Sequence, residues 1–223
     1  MRAELGESLA MAVAQAEAPG AVAVVGEEDT ILFAGAHGLR RTVPSPEPAT
    51  LDTIYDLASV TKAVATATAA LLLWQEERID LDAPVEAYLP VGGLDKFRVR
   101  HLLTHTSGLP AWKPLHTEAN TATDAVRLIA REASQAEPGR RFRYSDLNFI
   151  LLGRLVEMVA QQKLDLIVRE RIFDPLGMEN TAYLPPASWR SRIAPTENCP
   201  WRGRIIRGDV HDEGAAMMHY HSS

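Results

Sequence analysis

Cysteine is almost missing. One thiol, Cys199, in 223 residues cannot close an internal disulfide, so nothing here argues for secretion, and a cysteine-rich metal site is excluded. A basic excess is missing too. The 23 Lys and Arg residues are outnumbered by 29 Asp and Glu, and the formal net charge is −6. No global positive charge is available to hold a phosphate backbone, which argues against a nucleic-acid partner. Long apolar runs are absent. The longest strongly apolar stretch without charge runs from Ala63 to Gln75. It is shorter than the about 20 residues a bilayer-spanning helix needs, and a buried core helix is the better reading. The start carries one Arg, but Glu4 and Glu7 precede the short apolar run Leu9–Val13, whereas a secretory leader wants a positive start and a longer apolar centre. The expectation is a cytoplasmic protein with no membrane partner. Internal repeats, low-complexity tracts and the patterns G-x-S-x-G, H-E-x-x-H, P-loop and C-x-x-C are also absent.

What is present is ordinary globular composition, 46% apolar and 23% charged, enough for a packed core. The Ala-rich segment from Arg2 to Ala16 suits a surface helix, stopped by Pro19-Gly20. Residues 21–25 and 30–34 read as strands around a hairpin loop at 26–29. Residues 38–53, with three prolines, read as an irregular excursion. A long helix is predicted over 59–77, with small or apolar residues nearly all round its middle, as in a helix packed on several sides. Further helices are predicted near 99–103, 122–132, 146–161 and 164–172, with extended pieces at 192–194 and 204–206. Strands near the start followed mostly by helices argue α+β. An isolated hairpin is marginal, so the sheet seen in sequence is short of members.

Few residues offer chemistry. His101 and His105 are four apart and share a helix face as zinc ligands do, but no carboxylate completes a triad, so a structural hydrogen-bonding role is preferred and no metal is expected. His219-Tyr220-His221 reads as a loose tail. Arg140, Arg141 and Arg143, and the arginines between 190 and 207, read as solvated or salt-bridged faces. The remaining signal is Ser59-Val60-Thr61-Lys62. Ser59 stands at the predicted helix start, where backbone N–H groups are unpaired. Three residues rise about 4.5 Å, which puts Lys62 on nearly the same face. Burial of that amine would lower its pKa and let it take a proton from the hydroxyl. From spacing alone, an N-cap serine beside a surface lysine is the simpler account.

The surroundings change the balance. Tyr55-Asp56-Leu57-Ala58-Ser59-Val60-Thr61-Lys62 resembles the nucleophile region of the serine β-lactamase and penicillin-binding protein superfamily. His101-Leu102-Leu103-Thr104-His105-Thr106-Ser107-Gly108-Leu109-Pro110 resembles a second signature. The segment from Pro138 to Asp146, continuing into Phe149–Gly153, resembles a third, and Arg171–Met178 a fourth. The similarity is closest to the branch with class C β-lactamases, D-Ala-D-Ala carboxypeptidases and related esterases. It implies a β-lactamase/DD-peptidase-like fold, with an antiparallel sheet flanked by helices and a helical lobe. It also implies an acyl-enzyme mechanism on a small-molecule ester or amide, without cofactor. Ser59 would be the nucleophile and its N–H one oxyanion donor, and Lys62 would help remove the proton. Tyr144, opening a Y-x-N-like motif, would assist that transfer and protonate the leaving group, a role that needs cationic neighbours to favour phenolate.

Two departures qualify this resemblance. Position 146 is Asp where penicillin-recognising members usually carry Asn. A carboxylate only accepts hydrogen bonds, so Asp146 would bind Lys62 but hold a substrate amide poorly, favouring esters. No K-[ST]-G or H-[ST]-G triplet follows Tyr144. The expectation is therefore one incomplete domain over 1–223, lacking C-terminal sheet strands. Residues 1–57 and 186–223 form its sheet side and 58–185 its helical lobe, and its open sheet edges invite self-association. Two functional classes stay open: an active serine hydrolase, and a catalytically inactive truncated member or a binding or scaffold module.

Overall fold

A computed structural model describes residues 2–15 and 18–217; the expected tail at His219 and His221 lies outside them. The chain divides into two compact units, Met1–Asp56 with Pro185–His211, and Leu57–Leu184 with Asp212–Ser223.

In the first unit, α1 (Arg2–Gln15) packs on β2 (Thr30–Arg41), which pairs antiparallel with β1 (Gly20–Glu27) and with the short β3 (Glu47–Pro48). The sheet order is β1-β2-β3, with β1 on an outer edge. The two residues Glu28 and Asp29 turn the hairpin, with Glu28 at φ 49°. Sequence reading ended the second strand at Ala34 and made 38–53 irregular; β2 instead runs on to Arg41. Cross-strand partners outside the local sequence hold that extension. Gly20 faces Gly38 and Ala21 faces His37, while Glu47 binds Arg40 at 3.1 Å, Arg41 at 2.7 Å and Arg207 at 2.8 Å. The expected extended piece at 192–194 is a single parallel bridge, Ile54 to Ile193. β4 (Asn198–Cys199), not foreseen, pairs with β5 (Arg204–Ile205).

The second unit is helical. A π-helical stretch, Lys62–Ala67, runs into α2 (Thr68–Gln75). A continuous α-helix was expected; the widened turns are matched by the Thr68 hydroxyl, which donates to the Ala63 carbonyl five residues back at 2.8 Å. π-helical turns are rare and concentrate at functional sites. Short helices α3 (Val99–Leu103) and α4 (Leu115–Glu118) precede α5 (Ala122–Glu132). α5 is capped by the Thr121 hydroxyl, which accepts from the Asp124 N–H at 3.1 Å. α6 (Asp146–Ala160) buries Leu147, Leu151, Leu152, Leu155 and Val156, one stripe at helical spacing. It ends at Gln161 in the left-handed conformation. α7 (Leu164–Val168) passes into a second π-helical stretch, Arg169–Phe173, and α8 (Glu213–Met217) packs on α4. No helix of the described residues is long and apolar enough to cross a membrane.

α3 and α6 meet in the centre of this unit, around Phe97, Leu102, Leu147 and Leu151, all at most 1% exposed. Truncating Leu102 to alanine leaves a void that close-packed neighbours fill only in part. The expected loss is about 2–5 kcal/mol, read as a lowered urea midpoint at unchanged slope.

Candidate active site

Ser59 stands just before the π-helical stretch, exposed to solvent. Ala58, before it, has φ 44°, a left-handed conformation that costs an ordinary L-residue about 1–2 kcal/mol and marks a position held by its surroundings. Lys62, Thr61 and Val60 donate their N–H groups back to the carbonyls of Ser59, Ala58 and Leu57 at 3.0–3.1 Å. Among the described residues, no backbone carbonyl takes the Ser59 N–H. The turn satisfies three of the donors that an N-cap serine would serve, and no hydrogen bond from the Ser59 hydroxyl to them is needed.

That hydroxyl meets Lys62, whose Nζ donates to Ser59 Oγ at 3.0 Å. The same Nζ lies 2.8 Å from Asp146 Oδ1 at the start of α6, with the lysine side chain 19% and the aspartate 36% exposed. Tyr144 joins them: its ring centroid is 5.2 Å from Nζ, and it interacts with the ammonium. Ser59, Lys62, Tyr144 and Asp146 are therefore brought to one place from two distant stretches of chain. The expected lowering of the Lys62 pKa is overturned. Burial does push it down, but bonding to Asp146 and Tyr144 outweighs burial and the pKa ends raised. A raised pKa favours the ammonium form, which donates to Ser59 Oγ and pairs with Asp146.

The segment after α3 is the rail on which Tyr144 and α6 are hung. The Thr106 carbonyl accepts the Gly139 N–H at 2.8 Å, the His105 carbonyl the Arg143 N–H at 2.8 Å, and the Ala111 carbonyl the Asp146 N–H at 2.8 Å. The Ser145 hydroxyl donates to the Pro110 carbonyl at 2.6 Å, and the buried Ser107 hydroxyl donates to Asn148 Oδ1 at 2.6 Å. Gly108 sits at φ +80°, and a Cβ there would lie 3.0 Å from the Glu137 backbone nitrogen, so only glycine fits. His101 is spent elsewhere, its Nδ1 accepting the Arg98 N–H at the start of α3 at 3.1 Å.

His105 is the residue that sequence reasoning undervalued. It is held at φ 55°, and its ring lies 4.5 Å from that of Tyr144 and 5.1 Å from that of Phe149, centroid to centroid. Burial first, then the Lys62 charge, hold it below the usual imidazole range, with Asp146 opposing. Membership in the 101–110 signature was the available signal; its partners at 143–148 are not local and could not be read from it. Arg140, Arg141 and Arg143 are all exposed, as a solvated face should be.

The family model described as Beta-lactamase matches residues 8–218. A protein described as a putative D-alanyl-D-alanine carboxypeptidase, from Salmonella schwarzengrund (strain CVM19633), is 33% identical over 200 residues, covering 76% of this chain and 46% of that protein. An octameric penicillin-binding protein homologue from Pyrococcus abyssi superposes with a TM-score of 0.77 at 26% identity, over 94% of this chain and 51% of that one. EstCE1, described as a hydrolase with promiscuous acyltransferase activity, gives 0.74 at 25% identity, over 94% and 59%. The chain spans about half the length of the curated relatives it matches.

Proposed function

The chain belongs to the Beta-lactamase family, and from that premise we propose that it is a serine hydrolase working through an acyl-enzyme on a carboxylic ester or amide. The observation that carries this reading is the Lys62 ammonium bound to Ser59 Oγ at 3.0 Å and to Asp146 Oδ1 at 2.8 Å, with the Tyr144 ring 5.2 Å away. Ser59 Oγ attacks the carbonyl carbon, and Tyr144, whose ring lies 5.2 Å from the Lys62 Nζ, acts as the base that takes the hydroxyl proton. The carbonyl electron pair moves to oxygen, facing the Ser59 N–H. As the tetrahedral species collapses, the bond to the alcohol or amine breaks and Tyr144 returns the proton to it. Water then attacks the acyl carbon as Tyr144 takes one of its protons, the bond to Oγ breaks, and Tyr144 passes that proton to Ser59 as the acid leaves. Lys62 stays charged throughout and orients Oγ.

The second reading is a binding or scaffold module without turnover. Assays with p-nitrophenyl acetate and nitrocefin separate the two. Hydrolysis of the acetate, faster than that of nitrocefin, supports the hydrolase; no turnover of either by folded protein supports the module.

Asp146 sets the pH range of this chemistry. Its carboxylate helps hold the Lys62 pKa up, so the ammonium and its pairing persist below the usual lysine value and are lost only as pH rises through the raised one. Asp146→Asn removes the charge and lets Lys62 lose its proton earlier. The alkaline limb of kcat/KM is expected to move to lower pH. The new amide donor is expected to raise nitrocefin turnover relative to acetate. An unmoved limb would remove Lys62 from the titration that controls rate.

A further inference from the structure

We propose that His105 is the positioning residue for Tyr144, fixing where the phenol stands relative to Ser59 and Lys62; this rests on the hydrolase reading above. The case is a bracket. The His105 carbonyl accepts the N–H of Arg143 at 2.8 Å, one residue before Tyr144. The His105 Nδ1 accepts the N–H of Ser145 at 3.2 Å, one residue after it. The imidazole lies against the Tyr144 ring itself, centroids 4.5 Å apart at 34°. One residue thus ties the backbone on both sides of the tyrosine and the side chain between.

The bracket is itself held rigid. Asn148, buried in the first turns of α6, faces the same Nδ1 with its amide at 3.3 Å. Its other end, Oδ1, accepts from the Ser107 hydroxyl at 2.6 Å, which orients Nδ2 as the donor to the ring. Two donors on Nδ1 leave no room for a proton there, so the neutral ring carries it on Nε2. Phe149 stacks on the imidazole at 5.1 Å and Phe142 meets it edge-on at 6.0 Å. Lys62, Asp146 and Tyr144 are the ionisable groups around it. A neutral imidazole suits this place, since an imidazolium would repel the Lys62 ammonium. Tyr144 is 44% exposed, and on its other side stands the Lys62 Nζ, 5.2 Å from the ring.

The test is a double-mutant cycle on the full chain, read as the rate of covalent labelling by a fluorophosphonate. His105→Asn is the informative variant: Asn tolerates the left-handed backbone and keeps an acceptor near Nδ1, but removes the ring. It is expected to slow labelling of otherwise normal protein about 10- to 100-fold, the cost of misplacing a reacting group by about 1 Å. It should change the rate less than about 2-fold when Tyr144 is already phenylalanine. A merely structural histidine would slow both backgrounds equally. Equal slowing, or no slowing with Tyr144 present, overturns the proposal. Should the parent chain not be labelled at all, the hydrolase reading falls, and the positioning claim is judged by NMR. A His105 that keeps Nδ1 unprotonated from about pH 5 to 8, with Tyr144 ring resonances shifting in His105→Asn, supports it. A freely titrating His105 without effect on Tyr144 overturns it.

Discussion

Ser59→Ala is expected to lower p-nitrophenyl acetate turnover at least about 10⁴-fold, as removal of a hydroxyl nucleophile does elsewhere. The size of the effect follows from what the hydroxyl does. In the proposed mechanism its oxygen is the only atom of the group that bonds to the substrate carbon, and neither Lys62, as an ammonium, nor Asp146, held in the ion pair, offers a substitute. The loss should be kinetic and not structural. Ser59 is exposed, and Lys62 is also paired with Asp146 at 2.8 Å, a contact that does not run through the hydroxyl. The urea midpoint of the variant should therefore match that of the parent, within the roughly 0.5 kcal/mol of an ordinary surface change. Turnover that survives in the alanine variant would place the chemistry elsewhere.

Tyr144→Phe is expected to lower kcat about 10²- to 10⁴-fold, the usual contribution of a placed acid–base group. KM should change little, because in the proposed mechanism the phenol oxygen works on the proton and not on the bound ester. The ring stays, so its contacts with His105 at 4.5 Å and with Lys62 at 5.2 Å persist and the backbone tied to residues 105–111 need not move. A fall in KM and kcat together, or a loss below 10-fold, would hand the proton transfer to another group.

Much of this fold can be read from the chain because its causes are local. The buried stripe of α6, the Thr121 cap on α5 and the turn between β1 and β2 all come from residues within a few positions of the elements they define. The α+β class and the Beta-lactamase relationship are legible for the same reason, since the motifs that carry them are continuous. What escapes has distant causes. β2 reaches Arg41 because Gly38 and His37 find Gly20 and Ala21 opposite them and because Glu47 gathers three arginines, one of them Arg207. The wide helical turns at Lys62–Ala67 have no signature in an Ala- and Thr-rich segment.

The site divides in the same way. Ser59 and Lys62 lie within one turn, and their 3.0 Å contact is what their spacing implies. The charge state of Lys62 is not local. Reasoning from burial alone has the wrong sign, because the group that decides it, Asp146, arrives from the start of another helix. His105 escapes for the complementary reason. Its signature is easy to see, but its three points of contact with residues 143–145 exist only once α3 and α6 have packed together.

The central claim is that the Ser59 hydroxyl, oriented by a charged Lys62, is a nucleophile. Its most direct test is intact-mass analysis and peptide mapping of the folded chain after exposure to a fluorophosphonate. The account predicts a single adduct on the peptide that contains Ser59, absent from Ser59→Ala. Folded protein that stays unmodified, or carries the adduct on another residue, contradicts it.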